Sequence, residues 1–246
     1  MAKLDKTQYS KSEWKHIREQ RRLEKEHKRF EKELSDNLEY IKGPTKNIGL
    51  AKKEVAFVLG NGTSRASINP EDLQQYGNTY GCNALYRSFA PDYLIAVDTK
   101  MILEINKSGY QKNHEVWTNP NKAYQKMQGF NYFQPSKGWS SGPTALWLAS
   151  QHGYKTIYIL GFDYRGLEDG KRFNNMYADT MNYKKSLDGA TFFGNWLRQT
   201  KSVIQENDKI QYVRVIAPDN YQPEELNKFV NFSTITVETF KRIHGL

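Results

Sequence analysis

Val55-Ala56-Phe57-Val58-Leu59-Gly60-Asn61-Gly62-Thr63-Ser64 is the stretch on which the fold turns. Its first half is a short unbroken apolar run, the pattern of a strand buried on both faces. Its second half puts two glycines, an amide and hydroxyls directly after that strand. Working outward, Tyr80-Gly81-Cys82 reads as a weaker second strand and residues 93–97 as a strong third. Residues 114–117 read as a shorter fourth, and residues 130–133 as a further candidate. Residues 144–152 read as a helix anchored by Leu146, Trp147 and Leu148 and stopped by Gly153. Thr156–Leu160 follows as a strand, residues 192–205 as a helix, and Gln211–Ile216 as the last clear strand.

Short buried strands alternating with helices predict an α/β fold: a Rossmann-like, mainly parallel sheet with helices on both faces. A long N-terminal charged helix is expected to precede it. Residues 11–41 are rich in Glu, Lys and Arg, with no Gly or Pro. Leu23, Phe30, Leu34, Leu38 and Ile41 form a sparse apolar stripe, extended by Trp14 and Ile17. Positions 23 and 30, and 34 and 41, are seven apart, as in a coiled coil, although polar His27 and Asn37 sit in the seam. The stripe fits a solvated helix packed lightly on the domain, or a docking helix through which residues 11–41 form a homo-oligomer. The interleaved glutamates repel phosphates, so a nucleic-acid arm is the least supported reading. Gly43-Pro44 ends the helix. The expected division is therefore residues 1–42 as charged helix, 43–52 as linker and 53–246 as nucleotide-binding domain.

The 246 residues carry a formal charge of +9, which suits anionic partners such as nucleotides or phosphorylated glycans. Cys82 is the only cysteine, so no disulfide closes within the chain, and five dispersed histidines disfavour a structural zinc site. No apolar run approaches the roughly 20 residues of a membrane span, and the charged start does not read as a secretory leader. A reducing, cytoplasmic setting is expected.

Ligands of open parallel sheets bind beyond the carboxyl ends of the strands. There, Gly60 and Gly62 allow a sharp turn and close approach to a phosphate or ribose. Asn61 can donate and accept, and Ser64 supplies a hydroxyl or a cap. The loop lacks the Gly-Lys-Ser/Thr of a phosphate-binding Walker loop, and Arg65 stands where the dinucleotide fingerprint has its third glycine. A plain strand-to-loop turn explains it equally well. Asn83, Asp98, Asn119-Pro120 and Gly161-Phe162-Asp163-Tyr164 end other strands and can converge on the same edge. Each alone reads as an Asx-turn or a cap. Ser140-Ser141-Gly142-Pro143-Thr144 opens a helix and offers either an anion site or ordinary capping. Residues 165–191 carry Gly166, Gly170, Gly189, Asn174, Asn175, Tyr177, Tyr183 and the cations Lys171, Arg172, Lys184 and Lys185. They read as a mobile loop over the ligand, or as a plain surface insertion.

The ordered set Gly60-Asn61-Gly62-Thr63-Ser64, Cys82-Asn83-Ala84-Leu85-Tyr86, Asn119-Pro120, Ser141-Gly142, and the run from Gly153 to Asp163-Tyr164 resembles the bacterial lipooligosaccharide sialyltransferase family. The likeness extends from about residue 54 to 220. The layout also looks like the archaeal 6-hydroxymethylpterin diphosphokinase-like family, through Pro91-Asp92-Tyr93 to Asp98 and the helix after Ser141-Gly142. The first resemblance implies a transferase with a nucleotide-activated donor, most of all a CMP-type nucleotide sugar. It implies a glycan or small-molecule acceptor and no tightly bound cofactor. Gly60, Asn61, Gly62, Ser64, Asn83, Ser140, Ser141 and Gly142 would then hold the nucleotide. Tyr164 and Tyr177, with Asp163, would serve the departing phosphate. Two departures stand out: Thr63 replaces the family's proline, and no histidine lies between His152 and His244, where the family has its general base. Asp188 or Asp179 are the candidate replacements. The second resemblance implies ATP with Mg²⁺ on Asp98 and Asp163. A third reading is a non-catalytic binding or structural protein on the same fold.

Overall fold

The computed structural model describes residues 54–246 except Gln125, together with Trp14. Apart from Trp14, the expected charged helix and linker lie outside the described residues.

The Val55–Leu59 strand, β1, is the centre of the sheet. Ala56 and Val58 enter the core on one face, Phe57 and Leu59 the core on the other. This double burial is why the run is apolar without alternation. The other strands are β2 (Asn78–Cys82), β3 (Tyr93–Ile95), β4 (Val116–Thr118), β5 (Phe130–Tyr132), β6 (Thr156–Leu160), β7 (Gln211–Ile216) and β8 (Phe232–Thr236). They form one eight-stranded sheet in the order β5-β4-β3-β2-β1-β6-β7-β8. Every pairing is parallel, so the expected mainly parallel sheet is wholly so. Strand β8 went unread in the sequence.

Four helices cover the sheet: α1 (Thr99–Ser108), α2 (Ser141–Gln151), α3 (Gly194–Glu206) and α4 (Val237–His244). Helices α2 and α3 bury Ala145, Leu148, Ala149, Leu197, Val203 and Ile204 against one face. On the other, α4 packs Val237 and Phe240 against Phe57 and Val215. The register Leu59–Gly81–Leu94–Val116–Phe130 puts α1 on that same face, where Met101, Ile102 and Ile105 cover Leu94 and Val116. Glycines end two of these helices: Gly109 after α1 at φ 74° and Gly245 after α4 at φ 65°. Both adopt the left-handed conformation that a terminal carbonyl contact requires. At the start of α4 the Thr236 hydroxyl accepts the Thr239 N–H. No helix among the described residues is long and apolar enough to cross a membrane.

Candidate functional site

From β1 the chain builds outward in both directions, through β2 on one side and β6 on the other. The loops leaving β1 and β6 therefore diverge, and such a switch point opens a crevice at the carboxyl edge. A cavity of about 270 Å³ lies there. Its walls include Gly60, Asn61, Gly62, Asn83, Asp98, Ser140, Ser141, Gly142, Asp163 and Tyr164. Candidates from five separate stretches of sequence thus share one cavity. Ser64 stands just behind it.

The floor is two interlocked loops. The N–H of Gly60 donates to Leu160 O at 2.8 Å and that of Gly62 to Gly161 O at 2.9 Å, extending the ladder past the strands. A Cβ at Gly60 would stand 2.6 Å from Gly161 O, and one at Gly62 would stand 2.5 Å from the Asp163 carboxylate. These glycines are therefore required by the neighbouring loop, whatever a ligand asks of them. Asp163, buried, accepts the Ser64 N–H at 3.2 Å, the Ser64 hydroxyl, and Asn174 Nδ2 at 3.0 Å. It works as a clip between the loops.

Two buried arginines lie behind this floor. Arg65 donates from Nε to Gly60 O, and Arg214 on β7 donates to Phe162 O at 2.9 Å and Tyr221 O at 2.9 Å. Their guanidinium groups are held mainly by backbone carbonyls. Burial lowers both pKa values, and a guanidinium nonetheless stays charged. With Asp163 the one carboxylate acting on both among the described residues, the floor keeps a net positive charge. Sequence reasoning missed these residues. A lone Arg within the apolar run of β7 was the available signal.

Asn61 donates Nδ2 to Cys82 O at 3.0 Å, which ties the β1 and β2 loops together. Asn83, at φ 50°, accepts the Ser141 hydroxyl at 2.8 Å and donates to Asp98 Oδ2 at 3.3 Å. Ser141 in turn accepts the Val97 N–H at 3.2 Å. Helix α2 begins at this junction with no side-chain cap and no acidic residue in its first turn. Pro143 has no N–H, and the N–H groups of Ser141 and Gly142 have no acceptor among the described residues. Positive partial charge is therefore left open to the cavity.

Other candidates fall elsewhere. Tyr164 borders the cavity, but its hydroxyl donates to Thr200 Oγ1 on α3 at 2.9 Å, and burial pushes its pKa up to about 12. The Tyr177 hydroxyl pairs with Ser88 Oγ at 2.8 Å, outside the cavity wall. Neither tyrosine presents a free hydroxyl for a phosphate. Asn119 binds Ser136 Oγ at 2.8 Å, away from the site. Asp188 accepts the Lys185 N–H and Asp179 the Ser186 N–H, so both are turn caps that do not line the cavity. Among the described residues, no group of three or more His, Cys, Asp or Glu side chains is arranged to hold a metal ion.

The roof comes from residues 165–191, of which Arg165, Gly166, Phe173, Asn174, Asn175 and Thr191 line the cavity. Hydrogen bonds join this segment to the β1 loop. Asn174 Oδ1 accepts the Thr63 N–H at 3.0 Å, and Met176 N donates to Asn61 O at 2.8 Å. Farther out, Arg87 grips both oxygens of Glu104 at 2.7 and 2.6 Å and also reaches Met181 O at 2.8 Å. Asn182 Nδ2 donates to Glu104 Oε2 at 2.6 Å.

Compared with protein-family models, curated proteins and solved structures, the chain matches none.

Proposed function

We propose that the chain is a transferase that takes a nucleotide-activated donor, glycosyltransferase-like, with a CMP-type sugar as the donor class. The observation that carries this is the uncapped start of α2 opening into the switch-point cavity above a positively charged floor. Free N–H groups at a helix start bind phosphate, and fixed dipoles stabilise charge that develops on a leaving phosphate. Ser141 and Gly142 take the phosphate in this reading, with Asn61 and Asn83 beside the nucleoside. Closure of the roof on a bound donor would exclude water, which favours transfer over hydrolysis.

A Mg²⁺-dependent diphosphokinase fits less well. Asp163 already spends three of roughly four lone-pair sites on Ser64 and Asn174, leaving little for a cation. A nucleotide-binding protein without turnover is favoured by one observation, the lack of a histidine in the cavity wall.

The test is binding of CMP, UMP and AMP to the full chain, followed by turnover of CMP-activated sugar. CMP at about 100 times its Kd should raise the melting temperature by roughly 5–10 °C. Ser140→Asp places a carboxylate where it caps the Gly142 N–H and fills the anion site. It should weaken CMP at least tenfold while the free protein melts no lower. Unchanged affinity in that variant, or no binding by any nucleotide, sinks the proposal. Binding without turnover selects the non-catalytic reading.

A further inference from the structure

A second cavity, of about 310 Å³, adjoins the first. Asn83 and Asp98 line both, so they form a shared wall. The remaining walls include Thr99, Lys100, Asn182 and Tyr183. The Asn182 amide already donates to Glu104, and the Tyr183 hydroxyl already accepts from Asn61 and the Ala84 N–H. That leaves the Lys100 ammonium, the Thr99 hydroxyl and the Asp98 carboxylate to exchange hydrogen bonds with a ligand that both donates and accepts. A polyhydroxyl compound is such a ligand. The roof segment contributes Asn182 and Tyr183, so both cavities lie under the same cover.

Asp98 is unusual in what it does not do. It occupies the N-cap position of α1 with extended backbone, yet its side chain makes no capping bond. Its Oδ2 instead accepts Asn83 Nδ2 at 3.3 Å, and Oδ1 has no partner among the described residues. The carboxylate is exposed where the two cavities meet. Asp179 and Asp188, the candidates for the absent histidine, line neither cavity.

We propose that the second cavity is the acceptor subsite for a polyhydroxyl compound such as a glycan terminus, and that Asp98 is the general base there. This rests on the transferase reading of the first cavity. In the step, Asp98 Oδ1 takes the proton of an acceptor hydroxyl as that oxygen bonds to the donor's electrophilic carbon. The bond from that carbon to the nucleotide phosphate oxygen breaks, and the phosphate leaves with the electron pair toward the Ser141 and Gly142 N–H groups. The proton then passes from Asp98 to water.

The experiment is amide NMR on the full chain with two separate probes, CMP and a set of methyl glycosides of galactose, glucose and N-acetylglucosamine. CMP should shift Gly60, Gly62 and Gly142. At least one glycoside should shift Thr99, Lys100 and Asn182, and Lys100→Ala should weaken that glycoside at least fivefold with CMP affinity unchanged. Asp98→Asn should keep both ligands and lower transfer from a CMP-activated sugar by about 10²–10⁴-fold. Asp98→Glu should recover part of the rate. Glycosides that shift only the first cavity, or nothing, overturn the subsite even where CMP binds. Wild-type transfer by Asp98→Asn overturns the base. Glycoside shifts in the second cavity without any CMP effect uphold the polyhydroxyl site and instead remove the donor reading and, with it, the base.

Discussion

The floor and the roof of the first cavity are built by different means. The floor is backbone on backbone: Gly60 and Gly62 bond to the β6 edge, and Arg65 and Arg214 hold carbonyls from within the core. The roof is held mostly through side chains, with Asn174 binding the Thr63 N–H, Asn182 binding Glu104 and Arg87 binding Met181 O beside the Met176–Asn61 backbone bond, and with Met181 and Leu187 exposed to solvent. A region fixed by core packing opens only when the whole domain opens, whereas one fixed by a few surface bonds opens alone. Floor geometry is thus tied to global stability, and roof closure is a local equilibrium that a ligand can shift.

The sharpest way to break this distinction is Gly161→Ala. Gly161 sits at φ 68°, and a Cβ there would stand 2.7 Å from Gly60 O. The left-handed conformation costs a side chain about 1–2 kcal/mol and forced overpacking about 1–3 kcal/mol. Global stability should fall by roughly 3–4 kcal/mol, lowering the melting temperature by about 10 °C. Gly138→Ala is the control, because Gly138 has φ 63° with nothing within 4 Å of its Cβ. It should cost only about 1–2 kcal/mol in urea unfolding. Equal losses at the two positions would show that the floor loops are not interlocked.

Acid should separate the regions as well. His152, buried at the end of α2, bonds through Nδ1 to the Tyr80 hydroxyl, and burial lowers its pKa from 6.5 to about 4. Below pH 6.5 the unfolded chain takes up a proton that the folded chain refuses. Stability should therefore fall between about pH 6.5 and 4, by roughly 3 kcal/mol, and this loss levels off below 4. His244, lowered by burial too, acts in the same direction. At the roof, burial pushes the Glu104 carboxyl up, but hydrogen bonds from Arg87, Tyr86 and Asn182 outweigh it and hold the group below its ordinary 4.5. That contribution is present above 4.5 and lost only as pH falls through the lower folded value. Urea midpoints at a series of pH values should decline from pH 6.5 downward. A shallower decline in His152→Gln, and roof amide exchange that changes only below about 4.5, complete the expected result. A roof that loosens first on acidification would reverse the assignment.

The same division explains what the sequence made legible. β1 and β6 are apolar because both faces are covered, so their ends, and with them Asn61 and Asp163, could be read, and Asn83 and Asp98 end β2 and β3 on the same edge. Helix α1 was not read although Met101, Ile102 and Ile105 stand at helical spacing between Asp98 and Gly109. β8 was missed because only Phe232 within it is buried, as befits an edge strand without an apolar run. Helix α4 was missed with it. Arg214 gave only the signal of a lone Arg in an apolar run, for a different reason. Arg214 meets Phe162 O across 52 positions of sequence, a contact that exists only once β6 and β7 are neighbours. A sequence shows which hydroxyls are near a loop and not which way they turn, and those of Tyr164 and Tyr177 turn to Thr200 and Ser88.

The smallest effect separates the regions most cleanly. Arg87→Ala removes the grip on Glu104 and the bond to Met181 O, while Glu104 keeps Tyr86 at 2.7 Å and Asn182 at 2.6 Å. Because the pair is partly exposed and two partners remain, the loss should be about 1–2 kcal/mol. It should fall on local opening, so amides of residues 176–185 should exchange about 5–30 times faster. Gly60, Gly62 and the amides of β1 should keep wild-type protection, since their acceptors lie in the sheet or, for Gly62, at Gly161 just past β6. Equal acceleration at floor and roof would mean the two open as one unit. Selective acceleration would mean the cavity can admit a ligand without disturbing the loops that shape it.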